Sequence, residues 1–127
     1  MIDVKFIPAP AARLPFSGAV VAGDLVFISG QASVGPGGEI ISGSFEDEMR
    51  RSMENLRAVL ASCGIDWSAV IQTRNYIKDP QNLPLFNGIY EEYFQPPYPA
   101  RTTLSHCLGQ LKFEIDAIAV LRRAGAA

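Results

Sequence analysis

Histidine and tryptophan each occur once in this chain of 127 residues, and cysteine only twice. The lone imidazole, His106, has no second histidine and no CxxC pair at ligand spacing. A metal centre would need carboxylates gathered from distant segments, so none is expected. Cys63 and Cys107 stand far apart and read as reduced thiols rather than a disulfide framework. There is no run of Lys or Arg, and with a net charge of −2 and a pI near 5.3 the chain lacks the electrostatic footprint of a nucleic-acid partner. No window reaches the roughly 18 uninterrupted apolar residues of a membrane span. Asp3 and Lys5 break up the N-terminal stretch that a signal peptide would require. The expectation is a cytoplasmic protein with no membrane partner.

What is present is a 48% hydrophobic content, enough to fill one core, and the chain reads as a single α+β domain over 1–127. Pro8 to Pro15 carries three prolines and reads as an irregular arm, with regular structure beginning after it. Gly23-Asp24 between two β-branched and aromatic runs predicts a hairpin with strands at about 18–22 and 25–30. Ile40-Ile41 allows a further short strand. Ser44, with Asp47 three residues on, predicts the start of a helix that Gly64 closes. Its acidic first turn suits the helix dipole, and Glu46–Arg50 and Asp47–Arg51 are spaced as pairs on the outer face. A strand between Ser68 and Asp79 alternates Val70, Gln72, Arg74 and Tyr76 against Ile71, Thr73, Asn75 and Ile77. A second helix follows from Asn82 or Leu83 to Phe94, and Pro96–Pro99 makes an extended connection. Strands over Arg101–Leu108 and Leu111–Arg122 complete a sheet with both helices expected on one face.

Several polar residues sit where a purely structural pattern would not put them. Asn87 shares a helical stripe with Leu83, Tyr90 and Phe94 and is predicted to point inward, as a satisfied core amide or a ligand contact. Arg101 shares its strand face with Thr103, Ser105 and Cys107, a small polar floor from which a guanidinium can grip a carboxylate with two parallel donors. Read alone, it fits a strand-edge ion pair equally well. Glu114 and Asp116 lie on one face of the last strand and form either an acid/base pair or the solvated side of an antiparallel strand. His106 faces away from Arg101 and receives no role.

Leu14-Pro-Phe-Ser17, Leu25-Val-Phe-Ile-Ser-Gly-Gln31, Glu54-Asn-Leu-Arg-Ala-Val-Leu60, Phe86-Asn87 with Tyr90 and Tyr93-Phe94, Pro99-Ala-Arg-Thr102 and Phe113-Glu-Ile-Asp-Ala-Ile-Ala-Val120 occur in that order. Together they resemble the RidA family, also called YjgF or L-PSP, from about Ala9 to Arg122. The resemblance implies a chorismate-mutase-like α+β fold and a homotrimer with sites in clefts between subunits. It implies hydrolysis of a reactive enamine or 2-imino acid, such as 2-aminoacrylate, to a 2-oxo acid and ammonia without metal or organic cofactor. By the same resemblance Arg101 grips the substrate carboxylate, Glu114 positions or activates water, and Ser29, Asn87 and Thr103 line the pocket. Three departures stand out: Phe16 where the family usually has Tyr, Thr103 where many members have Cys, and a short Leu108-Gly-Gln-Leu111 connection. Phe16 makes that pocket wall wholly apolar, which favours imines with bulkier or more apolar side chains. It also motivates the alternative of a non-catalytic trimer that binds a small 2-oxo acid. An endoribonuclease activity ranks below both, because metal-independent RNA cleavage usually wants paired acid/base groups near a basic groove and this chain has one histidine and a net negative charge.

Overall fold

The computed structural model describes residues 1–11 and 13–122; Ala12 of the arm and the last five residues of the expected 1–127 domain lie outside it. Six strands form one mixed sheet in the order β1-β2-β3-β6-β4-β5, from β1 (Val4–Pro8), β2 (Ser17–Ala22), β3 (Leu25–Ala32), β4 (Val70–Ile77), β5 (Ala100–Ser105) and β6 (Phe113–Val120). All neighbouring pairs are antiparallel except β4 and β5, which are parallel and joined through helix α2 (Leu83–Tyr93). Helix α1 (Phe45–Ser62) fills the long connection between β3 and β4. Both helices cover one side of the sheet, as the alternation of β6 predicts: Phe113, Ile115, Ala117 and Ala119 are buried beneath them, while Glu114, Asp116, Ile118 and Val120 face the open side.

The local signals explain the elements they nucleate. Gly23 takes φ +60°, a left-handed conformation that costs an ordinary residue a Cβ clash, and turns β2 directly into β3. Ser44 accepts from the Asp47 amide at 3.1 Å while Asp47 accepts from the Ser44 amide at 3.4 Å, a reciprocal capping box that starts α1. Gly64 ends it at φ +74°, with its amide on the Ala61 carbonyl and that of Ile65 on the Leu60 carbonyl. Phe45, Met49, Met53, Leu56 and Leu60 then form the stripe that packs on β3 and β6. No helix among the described residues is long and apolar enough to cross a membrane.

Several expectations are corrected. A strand, β1, precedes the proline-rich arm; it is an exposed edge strand whose V-K-F-I-P sequence carries no clear alternation. Ile40 makes only an isolated bridge to Val34. The fifth strand stops at Ser105 because His106 and Leu108 adopt φ +59° and +74°, outside the extended region. Residues Trp67–Ala69 form a 3-10 turn rather than the beginning of a strand, capped by Asp66. A register shift between Val70 and Gln72 reverses the alternation there, so that Val70 is buried on the side of Thr73, Asn75 and Ile77. Leu83 is exposed instead of joining the apolar stripe of α2. Arg51 donates to the Ser33 hydroxyl at 2.9 Å rather than pairing with Asp47, whereas the Glu46–Arg50 pair forms at 2.9 Å. Glu48 is fully buried, accepting from the Lys112 and Gly43 amides at 2.9 and 3.2 Å and pairing with the Lys112 ammonium at 3.1 Å.

Candidate functional site

Arg101 leaves β5 on the helix side of the sheet. Its register partner on β4 is Thr73, which lies fully buried on that side. From there the guanidinium reaches α2, where its Nη1 donates to Asn87 Oδ1 at 2.8 Å. Its carbon rests 5.0 Å from the centre of the Phe86 ring and 5.1 Å from that of Tyr90, within the range of cation–π attraction. Both rings are buried, so they offer a firm platform. Among the described residues Arg101 forms no ion pair, unlike Arg50, Arg57 and Arg74. The strand-edge ion pair is therefore not what Arg101 makes. It fronts a cleft of about 230 Å³ lined also by Asn87, Tyr90, Glu91, Tyr98 and Pro99. Asn87 is half-buried rather than a core amide, and its carbonyl orients the guanidinium while leaving the remaining donors free. Thr103 is half-buried opposite Asn75 in the register, and its hydroxyl has no hydrogen-bond partner among the described residues.

Glu114 occupies the other side of the sheet, near the start of β6. Facing it, the register between β3 and β6 shifts between Ile28 and Gln31, a bulge that contains Ser29 and Gly30. A Cβ at Gly30 would meet Glu114 Oε2, so any other residue there would displace the carboxylate from this position. Ser29 donates its hydroxyl to the Ser17 carbonyl at 2.6 Å, which ties the bulge to the root of the arm. Glu114 and Phe16 both line a cleft of about 580 Å³ under the arm, together with Leu14, Gly30, Gln31 and Leu111. Phe16 is 51% exposed there, a large apolar ring left open on one side.

Burial, and secondarily the charge of Asp116, pushes the Glu114 carboxyl above the usual carboxylate range. Asp116 stands two residues on along the same face. It accepts from Arg74 Nε at 2.8 Å and from the Tyr76 hydroxyl at 2.9 Å, and Tyr76 is the register partner of Glu114. A carboxyl held in this way can exchange a proton nearer neutrality than an exposed glutamate can. Nothing in the sequence pattern separated Glu114 from Asp116; the glycine opposite one and the arginine beside the other do.

The six candidate residues thus fall into two groups within one chain. Arg101, Asn87 and Thr103 lie on the helix side, whereas Glu114 and Phe16 share the cleft under the arm, with Ser29 in the bulge beside it. The hydrogen-bond chain behind Arg101, through Tyr90, Thr73 and Asn75, was not singled out by sequence. Thr73 and Asn75, polar on a face otherwise occupied by Ile77, were its visible trace.

The sequence model of the family described as endoribonuclease L-PSP matches residues 6–121. The chloroplastic Reactive Intermediate Deaminase A of Arabidopsis thaliana is 38% identical over 89% of this chain, which spans 62% of that protein's length. The human 2-iminobutanoate/2-iminopropanoate deaminase is 30% identical over 88% of this chain and 84% of its own. A crystal structure of a Rid-family protein of unknown function from Yersinia pestis superposes with a TM-score of 0.85 at 29% identity, covering 93% of this chain and 99% of that one. By sequence match and by fold, the chain belongs to the endoribonuclease L-PSP family, which includes the RidA deaminases.

Proposed function

We propose that the protein hydrolyses a reactive 2-imino acid, or its enamine tautomer, to the 2-oxo acid and ammonia. The observation that carries this reading is the unpaired Arg101 guanidinium, held by Asn87 against two buried rings with its remaining donors open to a cleft. Such a group is a receptor for a planar carboxylate, and charge-assisted bonds of this kind contribute about 1.5–3 kcal/mol each. The names of the Arabidopsis and human relatives, a reactive-intermediate deaminase and an iminobutanoate/iminopropanoate deaminase, supply the reaction class.

The chemistry asks little more of the protein than placement. The imine carbon is already electrophilic; water adds to it with one proton passing to nitrogen, a carbinolamine forms, and the C–N bond breaks as the carbinolamine hydroxyl gives up its proton to the departing ammonia. Glu114 takes each proton from oxygen and passes it to nitrogen, a role suited to a carboxyl whose affinity for protons is raised. Thr103, two residues on along the same strand face, is assigned to the substrate carboxylate through its backbone, because its hydroxyl is buried and does not line the cleft.

Arg101 and Glu114 are on opposite sides of one sheet, so a small substrate meets both only if two copies of the chain contribute, as in a trimer with clefts between subunits. The exposed apolar residues of the open face, Val4, Phe6, Leu25 and Phe27, favour such an assembly because patches of this kind are rarely left in water.

Purified protein is to be mixed with 2-aminoacrylate generated in situ by a lyase, and pyruvate release followed. Acceleration by catalytic amounts, lost in Arg101→Ala, supports the reading. Saturable binding of a 2-oxo acid with no turnover of an imine panel replaces it with the binding trimer that Phe16 motivates.

A further inference from the structure

Behind Arg101 lies a buried polar chain that the reaction itself does not use. The Tyr90 hydroxyl, at the far end of the ring under the guanidinium, is 2.8 Å from Thr73 Oγ1. Thr73 Oγ1 also accepts from Asn75 Nδ2 at 3.0 Å, and the same amide nitrogen donates to the Thr102 carbonyl at 3.3 Å. Thr102 is the residue that follows Arg101. The path therefore runs from the ring beneath the guanidinium, through two side chains of β4, back to the backbone that carries Arg101.

Thr73 and Asn75 are fully buried and Tyr90 is 3% exposed. Polar groups in such a position cost free energy unless paired, and an apolar pair would pack the same space without that cost. Asn75 commits its amide nitrogen to both neighbours while its own Oδ1 finds no partner among the described residues. A buried acceptor left open calls for a functional reason. The register supplies one, because Thr73 lies beside Arg101 and Asn75 beside Thr103 on the parallel strand.

We infer that Tyr90, Thr73 and Asn75 are positioning residues for Arg101, a hydrogen-bonded brace that fixes the aromatic platform relative to the strand from which the guanidinium springs. Phe86 has no polar atom and is held by packing in the core, where the Phe113 and Tyr90 rings lie 5.9 and 5.4 Å away. Tyr90 has the additional tether at its hydroxyl, so its ring cannot slide along the guanidinium face. With Asn87 holding one edge and Tyr90 one face, the plane of the guanidinium and its remaining N–H donors are oriented before a ligand arrives, and less ordering is left to binding.

The test uses Thr73→Val, which keeps the shape and removes the hydroxyl, Tyr90→Phe, which cuts the same bond from the other end, and Thr73→Ser, which restores it. The order parameter of the Arg101 Nε–H, measured by NMR in the ligand-free protein, is expected to fall in Thr73→Val and in Tyr90→Phe and to return in Thr73→Ser. In turnover of a 2-imino acid, an arm that rests on the proposed deaminase reading, KM rises by about five- to tenfold with kcat held within about twofold. A brace that serves folding alone lowers Tm but leaves the Arg101 order and KM as in the wild type, and that result overturns the inference. If Thr73→Val does not fold, Tyr90→Phe decides by itself. If the wild type turns over no imine, the deaminase reading fails, while the Arg101 order parameter still decides the brace.

Discussion

Arg101 and Glu114 face opposite sides of the same sheet, with β4 lying between their two strands. Arg101 looks toward α2 and Glu114 toward the arm, so the proposed carboxylate grip and the proposed proton-handling group of one chain line two different clefts. Mixing therefore gives a direct test. Arg101→Ala and Glu114→Gln homo-oligomers are each expected to be inactive, but unfolding and refolding them together at equal amounts restores about a quarter of wild-type activity, the fraction of cleft-forming neighbours that retain both groups. Sites built within single chains would give no recovery.

Arg101 itself is expected to be replaceable for folding but not for binding. Because it is exposed and makes no ion pair among the described residues, Arg101→Ala is expected to leave Tm within a few degrees while weakening 2-oxo-acid binding about tenfold to a hundredfold, as measured by calorimetry. Arg101→Lys keeps the charge but loses the planar fork and the bond geometry to Asn87, and is expected to recover only a minor part of the loss.

Short-range chemistry was legible in the sequence: the Gly23-Asp24 hairpin, the Ser44–Asp47 box and the alternation of β6 each depend on residues a few positions apart. What escaped depends on distant partners. Glu48 reads as one more acid in a helix first turn, yet Lys112, 64 positions later, draws it into the interior. Two register shifts, at Val70–Gln72 and at Ile28–Gln31, reverse the inside–outside alternation without any sign stronger than a glycine. The inward face of Arg101 follows from its parallel pairing with β4, which no local pattern reveals, and that is why the residue read equally well as a surface ion pair. The resemblance supplied the role expected of it, and the geometry supplied its neighbours.

The Glu48 clasp makes a prediction about stability and pH. Burial alone would raise its carboxyl, but the Lys112 and Gly43 amides and the Lys112 ammonium outweigh that and hold it below the usual range. A carboxyl lowered in the folded state stabilises it above the ordinary carboxylate pKa, and this contribution is lost as pH falls through the lowered value. Lys112→Met, which leaves the buried carboxylate to backbone donors alone, is expected to cost about 1–3 kcal/mol at neutral pH in chemical denaturation. The deficit relative to wild type shrinks as Glu48 protonates in acid.

Glu114 has the opposite sign, and this links stability to activity. Its carboxyl is raised by burial and by Asp116, so the folded state holds the proton more tightly than the unfolded chain does. The associated stabilisation is present below the ordinary carboxylate pKa and is lost as pH rises through the raised value. At neutral pH Glu114→Gln is therefore expected to unfold at higher denaturant concentration than wild type while losing turnover. In the proposed reaction the ionised carboxylate acts as base, so kcat/KM of the wild type is expected to fall on the acid side through the pKa of Glu114. Asp116, whose charge helps to raise Glu114, is itself bonded to Arg74 and Tyr76. Asp116→Asn removes the charge that helps to raise Glu114 and moves the acid limb to lower pH. Arg74→Gln removes the cation that offsets Asp116 and moves the limb to higher pH. Equal limbs in all three proteins would show that the group titrating in turnover is not Glu114.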